Sequence, residues 1–214
     1  MANMSSMGRS VDSALWQDYR ASNTAMVVFY STDPVSEIPI REVPEEYPSD
    51  ILPEPNYESA TYGFYGCSRS KIRTAFVKSK LRYVIFVTKY QGTNADYKDR
   101  FFVTGYIKVN KIADVKKAHI RFCSDFTCLD EPRCLALRGD EQRFVSIEEA
   151  FEVTPDVLLS WDFKAKLTRQ ARIILNEENT MKIIEHLDSK NDITEKYIEE
   201  TARLQPHSDD EESE

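Results

Sequence analysis

RYVIFVTKYQGTNADYKDRFFVTGYIKVN, residues 82–110, places two apolar runs on either side of a polar loop. Tyr83 to Val87 is β-branched and aromatic and has the length of a buried strand. Gln91, Gly92, Thr93, Asn94 and Ala95 break it. In the second run Phe101, Val103, Gly105, Ile107 and Val109 alternate with Phe102, Thr104, Tyr106 and Lys108, so one face is apolar throughout except at the glycine. The pattern predicts an antiparallel hairpin, because no helix of crossover length fits between the runs. Gly105 leaves a gap, which in a strand marks a bulge, a corner or the close approach of another group.

Upstream of the hairpin the chain is basic and aromatic. Tyr62, Gly63, Phe64, Tyr65 and Gly66 combine rings with a backbone free to turn, and Arg69, Lys71, Arg73, Lys78, Lys80, Arg82 and Lys89 follow with no Asp or Glu from Cys67 to Lys89. This is an anion-seeking stretch moored to a core strand. Arg69, Lys71 and Arg73 are the expected phosphate contacts, with Tyr62, Tyr65 and Tyr106 packing on a base.

The charge pattern limits how much of the molecule takes part. The chain of 214 residues has a formal net charge of -8, but residues 1–60 carry -7, residues 61–170 carry +7 and residues 171–214 carry -8. A basic centre between acidic ends argues against polyanion binding by the whole surface and for a local site. The same pattern also allows the cationic middle to pair with its own acidic flanks.

Further out, Ala25 to Tyr30 reads as a first strand ended by Ser31, Thr32, Asp33 and Pro34. Leu15, Trp16 and Tyr19 have the spacing of one face of a short helix. Residues 1–24 read as an N-terminal arm and residues 25–204 as a single α+β domain. Within the domain, residues 34–58 form a proline-rich acidic segment with Pro34, Pro39, Pro44, Pro48, Pro53 and Pro55, incompatible with a helix or a central strand. Ala118 to Phe122 and Arg133 to Leu137 are expected strands, and Arg138, Gly139 and Asp140 a turn. Pro155 to Phe163 reads as a short helix, and Leu167 to Leu187 as the longest helix, with Ile173, Ile174, Met181, Ile183, Ile184 and Leu187 as its buried stripe and a break near Asn176 to Asn179. Ile193 to Leu204 is a last, charged helix. Residues 205–214 contain HSDDEESE, too acidic and apolar-poor to bury anything, and are expected to be disordered.

Catalytic signals are sparse and weigh against an enzyme without deciding against one. There is no Walker-type loop or G-x-G-x-x-G, and only three histidines, His119, His186 and His207, are available to serve as a base. A structural zinc would have to use Cys67, Cys123, Cys128 and Cys134, whose spacing lacks tight C-x2-C knuckles. Reduced thiols, with neither metal nor cofactor, are the expectation. No apolar run approaches the roughly 20 residues that cross a bilayer, and the first residues lack a signal-peptide core, so the sequence predicts a cytoplasmic protein without a membrane partner.

Tyr65-Gly66-Cys67 through Ile72-Arg73, the strand RYVIFVTKY and the later FFVTGYIKV together resemble the PUA-like superfamily, which includes EVE, YTH and ASCH domains, and within it the nucleotide-modification-associated families. The resemblance covers about residues 61–110. It implies a small, strongly bent β-barrel flanked by helices, with a nucleic acid or modified nucleotide held between barrel and helices. The residues themselves predict a curved sheet of five or six strands with helices concentrated in the C-terminal third. The expected function is a non-catalytic module that binds DNA, RNA or a nucleotide in a basic, aromatic-lined cleft. The alternative is an interaction or regulatory factor whose acidic segments meet a protein partner.

Overall fold

The structure is a computed structural model that describes residues 16–30, 55, 57–64, 75–115, 134–168 and 171–203. Its strands are Gln17–Asp18 (β1), Ser22–Phe29 (β2), Thr61–Phe64 (β3), Leu81–Lys89 (β4), Phe101–Val115 (β5), Cys134–Phe144 (β6), Phe151–Glu152 (β7) and Arg172–Leu175 (β8). The helices are Pro155–Ser160 (α1), Glu177–Asp188 (α2) and Thr194–Arg203 (α3), so the described helical content is concentrated in the C-terminal third as expected. A short helical turn at residues 75–78 precedes β4.

All eight strands join one mixed sheet in the order β3-β6-β5-β4-β2-β8. Among the described residues the sheet is open, with β3 and β8 at its edges. The β4–β5 hairpin is antiparallel, pairing Tyr83 with Lys108 and Lys89 with Phe101. β2 runs parallel to β4, and β8 runs antiparallel to β2. At 15 residues β5 outlasts its neighbours. It carries β4 and then β1 along one edge, and β7 and then β6 along the other. Residues 17–24, read from sequence as part of an arm, therefore contribute to the sheet.

Both faces of the sheet are covered, which is why β2 and β4 read as continuous apolar runs rather than alternating ones. One core gathers Met26, Val28, Val84, Phe86 and Ile107 from the strands with Phe76, Tyr57 and Tyr197 above them. The other gathers Ala25, Val27, Ile85, Val87 and Val103 with Trp161, Leu167 and, from α2, Ile183, Ile184 and Leu187. Thus α2 and α3 pack on opposite faces.

The strict alternation read along β5 is interrupted. Pairing passes from Phe86 with Gly105 to Val87 with Val103, leaving Thr104 without an opposite residue on β4. This bulge lets Val103 and Tyr106 share one face, while Thr104 turns to the other and its Oγ1 meets the Tyr30 hydroxyl at 2.8 Å. The gap at Gly105 is filled by a ring. A Cβ there would lie 2.7 Å from Cε1 of Phe144. Gly105→Ala is accordingly expected to cost ~2 kcal/mol or more through overpacking against a core with no room to yield. Thermal or urea unfolding measures it, and a loss below about 0.5 kcal/mol would mean that Phe144 can move aside.

Three further expectations change. Arg138, Gly139 and Asp140 are not a turn but the middle of β6, where two register shifts leave Asp140 and Asn110 unopposed. A Cβ at Gly139 would come within 2.6 Å of Ile107 Cγ2, so the glycine permits close approach of the strands rather than reversal of the chain. The long helix over Leu167 to Leu187 is divided. Arg172–Leu175 is the edge strand β8, burying Ile173 and Leu175 while Ile174 stays 47% exposed, and Asn176 then caps α2 by accepting from Asn179 N at 2.9 Å. Finally, Trp16 and Tyr19 flank the short strand β1 rather than lying on one face of a helix. Leu15, the expected strand over residues 118–122, the acidic tail and residues 34–54 and 56 of the proline-rich segment fall outside the described residues.

Candidate functional site

Two polar groupings stand out on this sheet. The first lies at the end of the sheet where the parallel strands β2 and β4 begin. Lys80, held at φ 50°, turns the chain from the helical turn into β4, and its carbonyl accepts from Ser22 N at 2.9 Å and Ser22 Oγ at 3.2 Å. Arg82 Nη2 donates to Ala21 O at 2.6 Å. Tyr19 N donates to Asn110 O at 2.7 Å and Tyr19 OH to Phe76 O at 3.2 Å. These bonds draw the link from β1 to β2, residues 19–22, across the corner formed by residues 76–82.

Arg20, Lys78, Lys80 and Arg82 are thereby collected at one corner, the first three exposed. Among the described residues none of Arg20, Lys78 and Lys80 has a carboxylate within ion-pair distance. Two carboxylates lie near. Asp18 stands opposite Lys111 in the β1–β5 pair, and Glu177 accepts from Asn23 Nδ2 at 3.0 Å. Among the described residues cations outnumber them, so the described corner is locally positive.

The second grouping is closed. Tyr106 OH lies 3.0 Å from Glu141 Oε1 and 2.8 Å from Asp188 Oδ1. Lys108 Nζ reaches Glu141 Oε2 at 2.5 Å, and Arg143 Nε stands 3.4 Å from Asp188 Oδ1 while its Nη1 donates to Lys190 O at 2.8 Å. Each carboxylate has its own cation and the phenol supplies the shared proton, so the network ties β5 and β6 to the end of α2. Burial, then the two carboxylate contacts, push the Tyr106 phenol well above its ordinary value. It holds its proton at neutral pH and is no nucleophile or base.

The Lys108 ammonium holds the Glu141 carboxyl below its usual range, chiefly by direct hydrogen bonding. A lowered folded-state pKa contributes stability that is present above the unfolded value and lost as pH falls through the folded one. The native chain is therefore expected to lose stability on acidification below about pH 4.5. Glu141→Gln, being unable to titrate, should lose less over the same interval. Urea midpoints from pH 6 to pH 3 check this, and identical pH slopes for the two chains would contradict it.

The aromatic residues expected to meet a base are placed differently. Tyr62 is 5% exposed and packs edge-on against Phe86 at 5.4 Å, and Tyr106 is 1% exposed with its ring edge-on to Tyr83 at 5.7 Å. They belong to the cores on opposite faces of the sheet, so both rings are packing residues and they do not form one cleft. Tyr65, Arg69, Lys71 and Arg73 lie outside the described residues. Lys78, Lys80 and Arg82, from the same basic run, lie along the turn into β4, whereas Lys89 is drawn into an ion pair with Asp99 at 2.5 Å at the hairpin loop. Arg20 escaped the sequence reading because nothing near it in the chain is basic.

Cys134 opens β6, and Cys67, Cys123 and Cys128 lie outside the described residues. Among the described residues no three His, Cys, Asp or Glu side chains come together as metal ligands. His186 Nε2 lies 2.9 Å from Glu149 O with its ring against Phe151, an environment that explains it as a packing residue. No described helix is long and apolar enough to cross a membrane. Comparison with protein families, curated proteins and solved structures finds no match to the chain.

Proposed function

We propose that the chain is a non-catalytic nucleic-acid-binding module that holds phosphates at the corner formed by Arg20, Lys78, Lys80 and Arg82. The observation that carries this reading is the gathering of exposed cations from two distant segments where, among the described residues, no carboxylate pairs with Arg20, Lys78 or Lys80. Among the described residues Lys89, Lys108 and Arg143 each have a carboxylate partner, whereas Arg20, Lys78 and Lys80 have none. Arg82 spends one guanidinium N–H on Ala21 and keeps donors for a ligand. The fork of Arg82 and the point charges of the lysines are suited to phosphodiester oxygens.

Arg69, Lys71 and Arg73 precede the corner in the same basic run of sequence and remain proposed phosphate contacts, with Tyr65 proposed to pack on a base. The resemblance of residues 61–110 to PUA-like domains supports the same class of ligand, including a modified nucleotide. The acidic ends of the chain keep polyanion contact local.

The test is retention of labelled single-stranded and duplex DNA and RNA by the intact chain at 0.05 and 0.2 M salt. Binding that weakens steeply with salt is expected. Failure to retain any of them at low salt would overturn the proposal and move the function to a protein partner met by the acidic segments 34–58 and 205–214.

A further inference from the structure

We infer that the corner selects single-stranded over duplex nucleic acid, with Tyr19 as the platform on which one unpaired base stacks. This rests on the nucleic-acid reading above and specifies its substrate. Tyr19 is the aromatic residue in the link that crosses the corner, adjacent to Arg20 and bonded to the segment that carries Lys78 and Lys80. Its ring is half-buried and stacks at 5.8 Å and 30° on Phe76, which is fully buried. One side of the ring is thus backed by the core.

The ring is also fixed before any ligand arrives. Its hydroxyl donates to Phe76 O at 3.2 Å and its amide to Asn110 O at 2.7 Å, so little rotamer freedom remains to be lost on stacking. A duplex offers this corner only phosphates and groove edges, its base faces being occupied by neighbouring bases. A single strand offers the same phosphates and, in addition, a π-face for the outer side of Tyr19. Cations alone would favour the duplex, whose phosphates are the more closely spaced. A partly exposed, pre-set ring among them favours the single strand.

The experiment is fluorescence anisotropy of the intact chain with a labelled 12-nucleotide pyrimidine strand, as DNA and as RNA, and with a duplex of the same length, at one salt concentration. The native chain should favour the single strand by about tenfold or more, and Tyr19→Leu should collapse that ratio by about the same factor while Tyr19→Trp keeps it. Lys80→Gln should weaken both ligands and leave the ratio standing. Photocrosslinking of a bromouridine strand to the native chain should land on Tyr19, which tests the contact even if Tyr19→Leu is poorly folded. Equal affinity for both ligands, an unchanged ratio in Tyr19→Leu, or crosslinks away from Tyr19 would overturn the inference. If Lys80→Gln still weakens binding in that case, nucleic-acid binding at the corner survives. If it has no effect, the function proposed above fails as well.

Discussion

A chain carrying Arg20→Gln, Lys78→Gln and Lys80→Gln together is expected to bind single-stranded nucleic acid about 100-fold more weakly than the native chain at 0.1 M salt. Each lost phosphate contact removes about 0.7 from the slope of log K against log salt for a single strand, so the slope should flatten by about 2. Folding should barely change. All three side chains are exposed and carry no described ion pair, so unfolding free energy should stay within about 0.5 kcal/mol for each position. The combination separates the proposed site from general charge attraction. Removing three exposed positive charges elsewhere, for example Lys98, Lys164 and Lys166, should cost much less. Equal losses from both sets would mean that net charge rather than the corner governs binding.

The second large effect lies in the core beneath β6. Phe144 is fully buried and its ring meets Tyr57 at 4.7 Å, Tyr197 at 5.1 Å and Phe86 at 5.6 Å, while its edge fills the space left by Gly105. Its backbone is used as fully as its ring, since Phe144 N donates to Thr194 Oγ1 at 3.0 Å and Phe144 O accepts from Ile193 N at 2.9 Å. Phe144 therefore joins the hairpin, the Tyr57 segment and α3. Phe144→Ala is expected to cost ~4 kcal/mol, well within the range for an aromatic deletion, because rigid rings on three sides cannot collapse into the void. For a domain stable by roughly 5–15 kcal/mol this removes a large share of the total. Urea unfolding should show a lower midpoint with an unchanged slope, and a loss under about 1.5 kcal/mol would show that the neighbouring rings relax.

The strands that could be read from sequence are those whose burial is continuous or cleanly bounded. Tyr83 to Val87 and Ala25 to Tyr30 are apolar on both faces because both faces are covered, and turn residues end them. The charged last helix and short α1 were likewise visible from their periodicity and from Pro155. What misled was short-range pattern without its partners. Ile173 and Ile174 fit a helical stripe with Ile183 and Ile184, and only the pairing with β2 reveals a strand ended by the Asn176 cap. Gly139 between Arg138 and Asp140 has the composition of a turn, but its missing side chain serves the approach of Ile107.

The site was partly visible for the same reason. Lys78, Lys80 and Arg82 announce themselves as neighbours in sequence. Tyr19 and Arg20 join them only through the bonds at Phe76, Lys80 and Ala21, across nearly sixty residues of chain. Composition does not separate an aromatic residue that packs from one free to meet a ligand. Tyr62 and Tyr106 look like a stacking pair, yet each continues a core face, and the bulge at Thr104 fixes the face that Tyr106 joins.

The most direct measurement is the amide spectrum of the isotopically labelled intact chain, titrated with a short single-stranded oligonucleotide at low salt. Shifts concentrated on residues 19–22 and 78–82, and reversed by added salt, are expected. An oligonucleotide that binds without disturbing those amides, or that perturbs only residues far from the corner, would contradict the account.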